Sequence, residues 1–226
     1  SLKAWTILLA IIAFGFSLTG TFIVRSGVIT SVHSFASDPE RGVFILLILA
    51  FFMGGALTLF AFRASALEAK GLFSTISRES ALLANNVLLA VATFVVFIGT
   101  IWPLVGEPFF NAAFTPFMVL LAIILPVGAM MPWKRAEIGR AMRPLRGALA
   151  LAVALALLVY AVQSGKSALG PVGAGLGAWV VLGALTDLWT RSGRGSIADR
   201  LGRITRLGRA DWGKATAHSG LGITLF

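Results

Sequence analysis

Six apolar runs, at roughly 4–24, 43–62, 81–102, 115–132, 147–163 and 168–189, occupy most of this 226-residue chain. Each approaches the ~20 residues that a helix needs to cross the hydrocarbon of a bilayer. A seventh run begins near Trp212 and is cut off at Phe226. Barrel strands would alternate apolar and polar residues, and these runs do not, so helices are expected. The expected fold is all-α: a polytopic transmembrane helical bundle with about six complete spans and a truncated seventh. Composition agrees, with 58% hydrophobic and 12% charged residues, against about 25% charged in soluble domains. Too few charges exist to cover a water-soluble core of this size. The first residues, SLKAW, carry no initiator Met, and the last, HSGLGITLF, stop inside an apolar run. Both suggest a piece of a longer polypeptide.

Lysine and arginine set the expected orientation. If the first span runs outward, every Lys and Arg except Arg25, Arg41 and Lys166 falls on the inner side. The net charge of +10 is therefore topological, and no nucleic-acid partner is expected. The expected organisation is one integral-membrane domain over 1–226, with an outward loop at 19–42 and an inner basic segment at 191–211. The loop 103–114, PLVGEPFFNAAF, would face the same side as 19–42. In 191–211, Ile197, Leu201, Ile204 and Gly208 fall near one helical face, with Arg200, Arg203 and Arg206 largely elsewhere. That pattern fits either a basic amphipathic helix on anionic headgroups or a solvated loop that only enforces topology.

The polar residues are few enough to weigh singly. With no cysteine in the chain, disulfides, Fe–S clusters and thiolate nucleophiles are excluded. His33, in the outward stretch Thr19–Gly42, is then the best available soft ligand, and is read as an axial ligand to haem iron. A loop histidine without a ligand is the commoner case by position alone. Arg25 ends the first span, where it could pair with a haem propionate or simply snorkel. His218 lies about six residues into the last run, and ionisable groups at such depth are usually functional. Its small neighbours Ala215, Ala217, Ser219, Gly220 and Gly222 would admit a flat partner or another helix. Ser77 with Ser80 could cap the third span, with Glu79 in its first turn and Asn85 and Asn86 structural. Asp187 could pair with Arg191 at i,i+4. Prolines 103, 116, 126 and 132 mark span ends or kinks, and Trp102, Trp133, Trp179, Trp189 and Trp212 are expected as interfacial anchors. No nucleotide loop, paired-carboxylate site, Ser-His-Asp order or HExxH spacing occurs.

Four stretches carry a family resemblance. GTFIVRSGVITSVHSFASDPERGVFIL, SRESALLANNVLLAVATFVVFIGTIWPL, FFNAAFTPFM and AHSGLG resemble successive blocks of the CcmF family, with its NrfE relatives, the membrane haem lyases of bacterial cytochrome c maturation. Residues 134–190 match least. The resemblance implies a multi-pass protein of the bacterial inner membrane with the His33 loop in the periplasm. It implies that His33 ligates haem in transit and that His218 ligates a resident transmembrane haem b. It implies partners too: a haem chaperone of the CcmE type, apocytochrome c, thiol-handling subunits of the CcmH type, and membrane lipid. The reaction implied is attachment of haem vinyl groups to the CxxCH thiols. The family's tryptophan-rich WWD segment and its other two histidines are expected before Ser1. Other classes stay open at this point: a small-molecule or lipid transporter, or a structural subunit without haem. A transporter would gather polar residues at mid-bilayer, whereas here they gather at the span ends.

Overall fold

The computed structural model describes residues 3–26, 38–67, 73–101, 107–165 and 168–226. These form helices α1 (Lys3–Ser26), α2 (Pro39–Arg63), α3 (Arg78–Ile101), α4 (Glu107–Met130), α5 (Ile138–Val162), α6 (Leu169–Arg191), α7 (Ile197–Ile204) and α8 (Arg209–Ile223), with a 3₁₀ turn at Ala64–Leu67. No strand occurs among the described residues. Six of the helices, α1 to α6, are long and apolar enough to span a membrane. The chain is a multi-pass, all-helical membrane protein. Its contacts divide it into two compact units, 1–72 and 73–226.

The first unit is a helical hairpin. Gly42 lies against Ser26 and Gly15 against Met53, so α1 and α2 run antiparallel. Asp38 N–H donates to the Arg25 carbonyl at 2.9 Å and ties the two helix ends together. The Asp38 carboxylate then caps α2, accepting from Arg41 N–H at 3.2 Å, with Pro39 in the first turn where a missing N–H costs nothing. The outward faces stay apolar: Phe51 and Phe62 are 74% and 81% exposed. An apolar helix face of this kind suits acyl tails or another membrane helix.

The second unit packs α3 to α8. Leu145 and Val180 are fully buried, among small residues of α4, α5 and α6. Small residues bring the backbones close, which is how helices associate where no hydrophobic drive separates protein from lipid. A β-carbon at Gly183 of α6 would lie 2.5 Å from Pro126 of α4. One at Gly177 would lie 2.6 Å from the Gly222 carbonyl of α8.

Several helices outrun the apolar segments. The described parts of 19–42 are helical through Ser26 and again from Pro39, which leaves a shorter connection than the whole stretch. Residues 107–114 are the first turns of α4, so Pro116 and Pro126 lie inside it. α5 starts at Ile138 and takes in Arg140, Arg143 and Arg146. Propagation adds a hydrogen bond for each residue fixed, whatever its polarity, and long arginine side chains can carry their charge back to water. Trp179 corrects another expectation. It is 6% exposed, in the core, and donates its indole N–H to the Ile123 carbonyl at 3.2 Å. Deep in α6, its ring fills the space that surrounding alanines and glycines leave.

Candidate functional site

The start of α3 is held by its neighbouring loop. Ser77 caps the helix, its Oγ accepting from Ser80 N–H at 3.2 Å, and the Ser80 hydroxyl donates to the Ser74 carbonyl at 2.9 Å. Residues 74–78 and 132–136 exchange backbone hydrogen bonds: Ser74 N–H to Lys134 O, Arg78 N–H to Pro132 O and Ala136 N–H to Ile76 O. Glu79 is buried and does more than favour the helix dipole. Its Oε2 accepts Lys134 N–H at 2.7 Å, across 55 residues of sequence. Lys134 adopts φ +65°, a conformation most side chains avoid, in the same turn. This clasp fixes where Arg78 sits, with its guanidinium 4.9 Å from the centre of the Trp133 ring.

α8 presents two faces. Ala215 and Gly222 are buried, with Gly222 against α6 at Gly177 and Val181. Lys214, Ala217, His218 and Leu221 recur at three- and four-residue spacing and line a cavity. At the root of this helix stands a charge cluster. Asp187 of α6 is 4% exposed and accepts the Arg191 Nε at 3.0 Å, as its i,i+4 spacing leads one to expect. The tertiary fold adds two members. The Lys214 ammonium pairs with the same Asp187 oxygen, and Arg191 reaches Asp211 at 3.0 Å. Two carboxylates and two cations thus join α6 to α8, at the level where a single buried carboxylate would be costly.

The cavity, about 470 Å³, opens between α3, α4 and α8. That lies within the usual ~300–1,000 Å³ of small-molecule and cofactor sites. Its polar lining is Arg78, Asn85, Lys214 and His218, and the remainder is apolar, Met118, Leu121 and Leu125 among it. Asn85 was read as structural. It belongs here because it follows Arg78 by seven residues, two helical turns, on the same face of α3. The i,i+7 spacing was visible, but nothing marked that face as the one turned to a cavity. Among the described residues, no group of three or more His, Asp or Glu side chains could hold a metal ion.

Over nearly its whole length the chain aligns with curated proteins. It is 64% identical, over 99% of its residues, to a protein of Rhodobacter capsulatus named cytochrome c-type biogenesis protein ccl1. It is 50% identical over 100% of its residues to the protein CycK of Rhizobium meliloti, and 41% identical over 100% to CcmF of Escherichia coli. The chain belongs to the CcmF family. It spans about a third of the length of these relatives, 35% in each of the three. No protein-family model matches it, and no solved structure does.

In this CcmF-family chain the sequence-selected residues fall in different places. His218 is half-buried on the cavity wall, brought together with Arg78, Asn85 and Lys214. Arg25 stands in the last turn of α1, where its carbonyl helps close the hairpin. His33 lies outside the described residues.

Proposed function

We propose that this chain takes part in cytochrome c maturation as part of a haem lyase, in the bacterial inner membrane with the His33 loop toward the periplasm. The names of its relatives support the process, and the distribution of Lys and Arg supports the orientation. The observation that carries the reading is the imidazole of His218 on the wall of a 470 Å³ cavity that also holds two cations and an amide.

The lining suits a haem. Small residues, Ala81, Gly128, Ala129 and Ala217, are part of the lining, and larger apolar side chains make up most of the rest. His218 would lend one axial nitrogen. Arg78 would pair a propionate carboxylate, a role its planar, permanently charged guanidinium fits. Lys214 already answers Asp187, so its part there is secondary. When bound, haem b at this site supplies one-electron chemistry that keeps the delivered iron ferrous. The protein's own residues position and tune. The Asp187 cluster holds α8 in register, and the clasp around Glu79 holds Arg78.

A second haem is the substrate, brought by a chaperone of the CcmE type and received at His33, with Arg25 near a propionate. Each of its vinyl groups takes one thiol of the apocytochrome CxxCH motif. A C–S bond forms, the S–H bond breaks, and the proton ends on the adjacent vinyl carbon, with no net oxidation. Subunits of the CcmH type would present those thiols reduced. The absence of cysteine from this chain accords with thiols that belong to the substrate. An absorption spectrum of the purified full-length protein tests the reading. It should show a b-type haem. Its absence would favour a transporter or a structural subunit of a maturation complex.

A further inference from the structure

The arginines between α6 and α8 have definite partners. Arg200 donates from Nε to the Ser192 hydroxyl at 3.0 Å and from Nη2 to the Trp189 carbonyl. Arg203 donates from Nε to the Ser192 carbonyl and from Nη2 to the Arg194 carbonyl, both at 2.6 Å. These carbonyls belong to the last turn of α6 and the residues just after it, where helix C-termini leave acceptors unpaired. The two guanidinium groups therefore bind the protein itself. They clamp one flank of α7 against the end of a membrane-length helix.

Two tryptophans bracket the clamp. Arg200 lies 3.8 Å from the centre of the Trp189 ring. Trp212, at the start of α8, donates its indole N–H to the Ile204 carbonyl at 3.2 Å. Indoles at helix ends sit at the level of the headgroups. α7 is thus held at that level from both sides. Next to the clamp, Ile197, Leu201 and Ile204 share one face at i, i+4 and i+7. Ile197 is 69% and Leu201 53% exposed.

We propose that α7 lies in the plane of the membrane surface, with Ile197, Leu201 and Ile204 inserted among the acyl chains of the leaflet at this end of the bundle. Depth follows from the bracket of α6, Trp189 and Trp212, and the apolar face needs a solvent other than water. Since Arg200 and Arg203 are spent on α6, insertion rests on the apolar side chains rather than on attraction to anionic lipid. Gly202, on the opposite side of the helix from Ile197, is exposed, with nothing within 4 Å of where a β-carbon would stand, and under the proposal it faces the aqueous phase. This inference does not depend on haem at His218.

The test is a nitroxide scan of the full-length protein in lipid nanodiscs, using single cysteines in a chain that contributes none of its own. Labels on Ile197→Cys and Leu201→Cys should collide with oxygen severalfold more than with a water-soluble nickel chelate. Labels on Ala198→Cys and Gly202→Cys should show the reverse. The pattern should be the same in neutral phosphatidylcholine as in bilayers containing phosphatidylglycerol. Labels at 197 and 201 open to the chelate would overturn the proposal, and so would labels shielded from both reagents, which would mean a protein partner covers the face. Insertion confined to anionic bilayers would also overturn it.

Discussion

Asp187, near the end of α6, holds the Lys214 ammonium of α8 one helical turn before His218. The pair ties the register of α8 to that of α6, and with it the direction of the imidazole. Asp187→Asn keeps the shape and removes the charge, leaving Lys214 without its carboxylate in a largely buried setting. Breaking such a pair from one side costs about 3 kcal/mol. Thermal unfolding in detergent should show the loss. The double variant Asp187→Leu with Lys214→Met should recover most of it. An unshifted melting temperature in Asp187→Asn would show that the pair does not hold the helices.

At the cavity, His218→Ala should abolish the absorption of the resident haem, and normal retention would remove His218 from the site. Arg78→Gln should weaken haem retention by about tenfold, the ordinary size of one charged hydrogen bond. Titration of the apoprotein with haem reads that change.

In the 19–42 stretch, His33→Ala should leave the proposed resident spectrum intact and stop transfer of haem to apocytochrome c. Arg25→Ala should lower retention of the haem in transit. A His33→Ala protein that still matures cytochrome c at the normal rate would exclude the ligand role.

The contact between Gly177 and Gly222 leaves no room for a side chain, since a β-carbon at 177 would lie 2.6 Å from a backbone oxygen. Gly177→Leu should destabilise the α6–α8 contact by about 2 kcal/mol or more and cost haem binding as well. Gly54→Ala, where nothing lies within 4 Å, should instead be neutral or slightly stabilising, because alanine favours helix. Equal melting temperatures for the two variants would contradict the close approach.

α7 opens with a reciprocal cap: Ser196 Oγ accepts from Asp199 N–H, and the Asp199 carboxylate accepts from Ser196 N–H. The Ser196 hydroxyl and amide hold the Asp199 carboxyl below its usual 3.8, with Arg203 adding to the effect. A depressed carboxyl stabilises the fold above its unfolded value, and that support fades as pH falls through the lower folded one. Amide protection in α7 should therefore persist at neutral pH and drop only below pH 3.8. Ser196→Ala should bring the carboxyl back toward 3.8 in an NMR titration and speed α7 amide exchange by roughly fivefold.

Much of this was legible along the chain. The spans were, because crossing a bilayer demands a long unbroken apolar run. The Ser77 cap and the Asp187–Arg191 pair were, because their partners sit three or four residues away. That Asn85 lines a cavity and that Trp179 lies in the core were not visible, since a helix that is apolar on every side does not announce which face turns inward. The whole of the first unit shows the same limit, with its faces nearly uniform in composition.

From its residues alone the chain was bound to be a bundle of membrane-length helices with no thiolate to offer a metal, because hydropathy and local spacing act within one helix. Which groups would stand beside His218 was settled only by tertiary packing. Gly177 against Gly222, and Asp187 against Lys214, bring α8 onto α6. The Glu79 clasp sets Arg78 at the mouth of α3 and α4. Those contacts join residues tens of positions apart, and only the folded chain brings them within reach of each other.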